Sequence, residues 1–235
     1  MSKKIKNVIN ILLFIIVIIC LTTIVDKNYK YYRSNKTYEQ IKDINNISEV
    51  NGNRSLIDEK LKSINSEYKF WINIPNTEID YPVVQSKDNE FYLKNNFYRE
   101  EDIAGTIFID CKNDISNDKN LILYGHNMRN GSMFADINKF KEKDFFDNGK
   151  IKIIKDGKEY FYEVFSIFID SSGQVNLKNK FASNYEFDEY INNLKNKSIY
   201  KKDISKGDIS NIITLYTCSY EFDEARTIVC ASLIE

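Results

Sequence analysis

The chain has 235 residues, 33 basic and 34 acidic side chains, and a formal net charge of −1. That balance offers no basic excess for nucleic acid, while the length and a 43% share of hydrophobic residues suit one packed domain plus attachments. Two prolines and eight glycines argue against a long disordered linker, and four cysteines are too few for a disulfide framework.

In chain order, the first signal is the uncharged run from Val8 to Val25. Eighteen residues at the helical rise give about 27 Å, the thickness of a hydrocarbon core. Lys3, Lys4 and Lys6 precede it as they would in a secretory signal, but no small-residue cleavage site follows, so the run reads as an uncleaved signal anchor. Charge alone leaves the orientation open, because Lys27, Lys30 and Arg33 balance the lysines on the other side.

Residues 29 to 66 read as polar helix, with Tyr38, Ile41 and Ile44 forming one apolar stripe. Asn51-Gly52-Asn53 breaks the pattern. A second helix is expected from Leu56 to Ile64, where Ile57, Leu61 and Ile64 recur at helical spacing. The organisation expected is a short tail (1–7), a membrane segment (8–25), a helical stalk (26–67) and a folded domain (68–235).

From Phe70 the signals become short, β-branched and aromatic. Eight runs stand out: Trp71–Ile74, Ile79–Val84, Gly105–Ile109, Leu121–Tyr124, Ile151–Ile154, Tyr160–Ile169, Ile212–Thr217 and Thr227–Leu233. Eight such strands point to a mainly β domain, a closed barrel or a sandwich. Two helices are expected to interrupt them. One runs from Ser86 to about Lys94. The other opens at the capping box Ser183-x-x-Glu186 and turns Phe187, Tyr190, Ile191 and Leu194 to one side.

The chemistry concentrates near the C-terminus. Thr214-Leu-Tyr-Thr-Cys218 ends a strand on a thiol, and Arg226 follows eight residues later. A hairpin centred near Phe222 would set Cys218 opposite Arg226, on the same face. A cation would then stand beside a group whose reactive form is the thiolate. The chain holds one histidine, His126, in Tyr-Gly-His-Asn just past a strand. One thiol, one imidazole and one guanidinium make up the parts for acyl transfer through a covalent intermediate.

Cys230 falls opposite Thr214 in that hairpin, roughly 13 Å along from Cys218, which is too far for a disulfide. A bridge between Cys111 and Cys230 stays open. No H-E-x-x-H, paired CxxC or glycine-rich phosphate loop occurs, so neither a metal nor another cofactor is expected.

The TLxTC block with its downstream Arg226 resembles the nucleophile strand of the sortases, the cysteine transpeptidases of Gram-positive cell surfaces. Asn120–Phe140 (NLILYGHNMRNGSMFADINKF) is similar to the histidine segment of class B members, and Trp71–Gln85 and Gly105–Asp110 supply further matches in the right order. The resemblance covers roughly residues 68 to 235. It implies the eight-stranded sortase-type β-barrel, with N-terminal helices, a helix inserted before the nucleophile strand and an N-terminal transmembrane helix.

The same resemblance implies Cys218 as nucleophile, His126 as proton carrier and Arg226 as donor to the substrate carbonyl or oxyanion. It puts Asn89, Leu93, Ser172 and Thr217 along the substrate groove. It further implies a single-pass membrane protein with its catalytic domain outside. Its partners would be surface proteins bearing a C-terminal sorting signal and an amine of a peptidoglycan precursor, with no nucleic acid. A cysteine hydrolase on the same barrel and a tethered binding module are the alternatives.

Overall fold

In a computed structural model the structure describes residues 3–50, 54–202 and 209–234. The expected break at Asn51–Asn53 lies outside the described residues. Eight strands form the domain: β1 (Tyr68–Asn73), β2 (Asp80–Val84), β3 (Ile107–Ile109), β4 (Asn120–Tyr124), β5 (Lys150–Lys155), β6 (Lys158–Ser171), β7 (Ile212–Cys218) and β8 (Ala225–Leu233). They close into a barrel in the order β1-β2-β3-β4-β7-β8-β6-β5, which settles the choice between barrel and sandwich. The β2/β3 and β4/β7 pairs are parallel and the others antiparallel.

Strand alternation gives the barrel two packed faces. Along β7, Ile213 and Leu215 enter the main core inside the barrel. Ile212 and Tyr216 point outward into a second cluster with Ile228 and Cys230 of β8. That outer cluster is roofed by α5 (Asn184–Lys197), which contributes Phe187, Ile191 and Leu194. Ser183 caps α5 as expected, its Oγ accepting the Glu186 N–H at 3.2 Å. The return bond differs: Glu186 takes the N–H of Ala182, one residue earlier than the capping box requires.

At the N-terminal side α1 (Lys3–Val50) runs unbroken through the apolar segment and the stripe beyond it. Tyr38 and Ile41 are buried in the main core, with Ile44 packed at its edge. Each such side chain contributes about 1.5–3 kcal/mol by leaving water. The Tyr38 hydroxyl also bonds the Gly105 carbonyl and lies 3.0 Å from Thr106 Oγ1. Next, α2 (Arg54–Ile64) buries Ile57 and Leu61.

The expected helix from Ser86 shrinks to one turn, α3 (Phe91–Lys94). The cause is local: the Asp88 carboxylate accepts the N–H groups of Glu90 and Phe91, at 2.9 and 2.7 Å, so residues 88–90 turn instead of coiling. A 3-10 segment (Ala135–Lys141) and a short helix, α4 (Lys143–Asp147), were not expected; they seat Ile137, Phe140 and Phe146 in the core.

Candidate active site

The site lies where β4 and β7 end side by side. Their parallel register pairs Tyr124 with Tyr216, and those rings meet edge to face on the outer surface, centroids 5.2 Å apart. Two residues beyond each tyrosine stand His126 and Cys218, so the register brings them level. Three bonds lock that level. The Gly125 N–H donates to the Tyr216 carbonyl (3.3 Å), the Thr217 hydroxyl to the Gly125 carbonyl (2.7 Å), and the Asn127 amide to the Cys218 carbonyl (2.9 Å). Gly125 is required there, because a Cβ would lie 2.7 Å from the Phe134 ring.

On the other side β8 runs antiparallel to β7 and pairs Arg226 with Cys218, as the hairpin argument requires. His126, Cys218 and Arg226 therefore form one row across three neighbouring strand ends. Cys218 is exposed, while His126 and Arg226 are half-buried.

His126 Nε2 lies 2.8 Å from the Leu93 carbonyl. A carbonyl only accepts, so Nε2 carries the proton and the lone pair of the neutral ring is on Nδ1. Arg226 donates from Nη1 to the Ala225 carbonyl (3.0 Å) and from Nη2 to Glu224 Oε2 (3.3 Å). It also neighbours Tyr216, whose phenol burial pushes up while the guanidinium partly offsets the rise.

The four residues expected along a substrate groove fall in different places. Leu93 packs at the edge of the main core and meets the row through its carbonyl. Asn89 has both ends of its amide engaged, donating to Asp110 at 2.9 Å and accepting from the Cys111 N–H at 2.8 Å. Asp110 in turn takes the Tyr124 hydroxyl, so Asn89 buttresses the tyrosine pair. Ser172 donates to Glu224 Oε2 at 2.7 Å, one step from Arg226. Strand alternation turns the Thr217 side chain away from Cys218, and it is 1% exposed with its hydroxyl spent on Gly125.

Sequence reasoning passed over two groups. Glu224 holds Arg226 from a left-handed backbone conformation (φ 61°), and its carboxyl is held down first by the Ser172 hydrogen bond and then by the guanidinium. Its position two residues before Arg226 was the available signal.

The second group anchors the loop after Cys218. Lys141 Nζ reaches Asn138 Oδ1 (2.6 Å), Ser219 Oγ (3.3 Å) and the Glu221 carboxylate. Partial burial works to raise the Glu221 carboxyl, but bonds from Lys141 and Ser219 outweigh it and pull it down to about 2. Nothing local marks Lys141, which is 80 residues from its partner.

All four cysteines are free thiols, which removes the Cys111–Cys230 alternative. Cys230 is buried against Thr214, its thiol pushed up to about 12 chiefly by burial. Among the described residues no cluster of His, Cys, Asp and Glu is placed to hold a metal ion.

The sortase domain family matches residues 72–234, a span that includes the whole row. The chain belongs to the sortase family. It is 35% identical over 178 residues to Sortase B of Listeria monocytogenes, covering 74% of this chain and 72% of the relative. With Sortase B of Staphylococcus aureus it shares 31% over 182 residues, 75% and 74% of the two chains.

Among solved structures, Clostridium perfringens sortase B superimposes with TM-score 0.72 at 39% identity over 75% of this chain and 99% of that one. A Staphylococcus aureus sortase B–substrate complex gives 0.78 at 26% identity over 86% and 97%. These relatives place this sortase in class B and identify it as a cysteine transpeptidase.

Proposed function

We propose that this sortase cleaves a C-terminal sorting signal after Thr, holds the acyl fragment on Cys218 and transfers it to an amine of a peptidoglycan precursor. The row of His126, Cys218 and Arg226 carries the reading. The Cys218 thiol passes its proton to His126 Nδ1, the resulting thiolate attacks the peptide carbonyl, and the oxyanion that forms lies toward Arg226. Of the five guanidinium N–H groups two are engaged with Ala225 and Glu224, which leaves donors for that oxygen.

As the C–N bond breaks, the leaving amine takes a proton from His126 and a thioester remains. In the second half the incoming amine attacks that carbonyl, the C–S bond breaks and the amine's proton returns to His126. With Nε2 anchored on Leu93, Nδ1 is the atom that exchanges the proton. Asn89 and Ser172 act behind the groove, through the tyrosine pair and Arg226. No cofactor enters any step.

The helix α1 is long and apolar enough to cross a membrane. We take residues 1–7 as a cytoplasmic tail, 8–25 as the span and 26–67 as the helical stalk, with the 68–235 barrel outside the cell, where sorting substrates and wall precursor lie. The test offers a library of short Thr-containing peptides with and without triglycine. Intact-mass detection of an acyl adduct on Cys218 that triglycine converts to a ligated product is the expected result. Release to water regardless of amine would replace the transferase with a hydrolase, and no adduct would overturn the nucleophile.

A further inference from the structure

Residues 3 to 50 contain neither glycine nor proline, and one helix spans them all. The apolar segment and the part of α1 that packs on the barrel therefore share a single rigid axis. Nothing in between loosens it. Lys30 pairs with Asp26 at 2.8 Å, one turn apart across the junction, which supports the helix where the apolar run ends. Within the run the hydroxyls of Thr22 and Thr23 bond back to the carbonyls of Ile19 and Cys20, at 2.9 and 2.8 Å, so both are satisfied within the helix.

The barrel takes hold of this axis soon after Val25. Tyr31 already packs at the core's edge, Arg33 donates to the Glu101 carbonyl at 2.8 Å, and Ser34 is buried. Asn130, in the loop that follows His126, bonds Asn35 at 3.1 Å. Six residues of helix from Val25 to Tyr31 amount to about 9 Å, and ten to Asn35 to about 15 Å. A headgroup layer is about 5–8 Å thick on each side of the hydrocarbon. The first barrel contact thus falls just above the headgroups, and the His126 loop only a little higher.

We infer that α1 seats the catalytic barrel at a fixed height and tilt against the lipid headgroups, the bilayer surface being the partner of the face around Arg33 and Glu101. The inference rests on the membrane-anchor reading above. It restricts efficient substrates to those whose reacting bond is presented within about 15 Å of the end of the apolar segment.

Two insertions between Val25 and Asp26 test it in the full-length chain carrying Cys20→Ala and Cys111→Ser. One is a seven-residue Ala/Glu/Lys helical segment, which adds about 10 Å and nearly two full turns. The other is a flexible Gly/Ser linker. Cys218 is labelled with a thiol-reactive fluorophore, Cys230 being buried, and energy transfer to a headgroup-labelled acceptor lipid is measured in vesicles.

The expected result is strong transfer in the parent, a shift equivalent to about 10 Å with the helical insertion, and a broadened distribution with Gly/Ser. Unchanged transfer in either variant that still floats with the vesicles would overturn the fixed height alone. Failure of every version to co-float would overturn the anchor reading, and this inference with it.

Discussion

Ser172 and Glu224 are joined twice: the Ser172 N–H donates to the Glu224 carbonyl at 2.9 Å, and its hydroxyl to the carboxylate at 2.7 Å. The same carboxylate oxygen holds Arg226 Nη2. The segment leading to α5 is thereby tied to the guanidinium beside Cys218. Glu224→Gly separates holding from folding. It relieves a left-handed residue, a strain worth about 1–3 kcal/mol, so the melting temperature should hold or rise. The Glu224 side chain is 70% exposed and its ion pair contributes little to stability. If Arg226 serves the oxyanion as proposed, turnover should nevertheless fall about threefold to tenfold, carried by kcat because the guanidinium loses its guide. Unchanged kcat would remove Glu224 from the positioning set.

Arg226→Lys keeps the cation but loses the planar fork of donors. Loss of one well-placed oxyanion donor costs about 10²–10³ in rate, so kcat/KM should drop at least about a hundredfold. Melting should move little, because the ion-pair partner Glu224 is 70% exposed and such a pair adds little to stability. Steady-state peptide cleavage beside a melting curve checks both. Near-normal turnover with lysine would mean that charge alone suffices.

Cys218→Ala should abolish both the acyl adduct and cleavage, since no other thiol shares the strand end. Cys230→Ala should leave the adduct rate intact and lower stability by about 1 kcal/mol, as small truncations in a closed core do. Denaturant melts and intact mass on the two variants separate these roles, and an adduct on Cys218→Ala would sink the mechanism.

The Lys141–Glu221 pair should show itself in acid. The Glu221 carboxyl titrates at about 2 when folded, below its ordinary 4.5, so between those values the unfolded chain binds more protons. The pair's stabilisation is thus full above pH 4.5 and disappears as pH falls toward 2. With the Glu221 side chain 38% exposed, solvent screening keeps its worth below about 1 kcal/mol. Lys141→Met should flatten the acid slope of the melting temperature in that window. A slope identical to the parent's would assign the acid sensitivity to other carboxylates.

Local order was legible in the residues. The pairing of Cys218 with Arg226 follows from the symmetry of one short hairpin about Phe222, and strand existence from runs of β-branched and aromatic residues. The capped helix from Ser183 and the buried stripe of Tyr38 and Ile41 likewise rest on spacings within a few turns. Even α1's continuity is written in the absence of glycine and proline before Gly52. Where a local signal misled, a side chain competed with the backbone: Asp88 captured the N–H groups that would have continued a helix from Ser86.

What only the tertiary structure decided joins distant parts of the chain. His126 stands level with Cys218 because β4 and β7, some ninety residues apart, pair in parallel at one register, and a single-residue slip would turn one of them away. The same ladder sends Thr217 inward, although it adjoins Cys218 in sequence. Ser172 finds Glu224 across 52 residues and Lys141 finds Glu221 across 80. Closure of the barrel sets these contacts, and a long-range pairing leaves no periodic trace in the residues that make it.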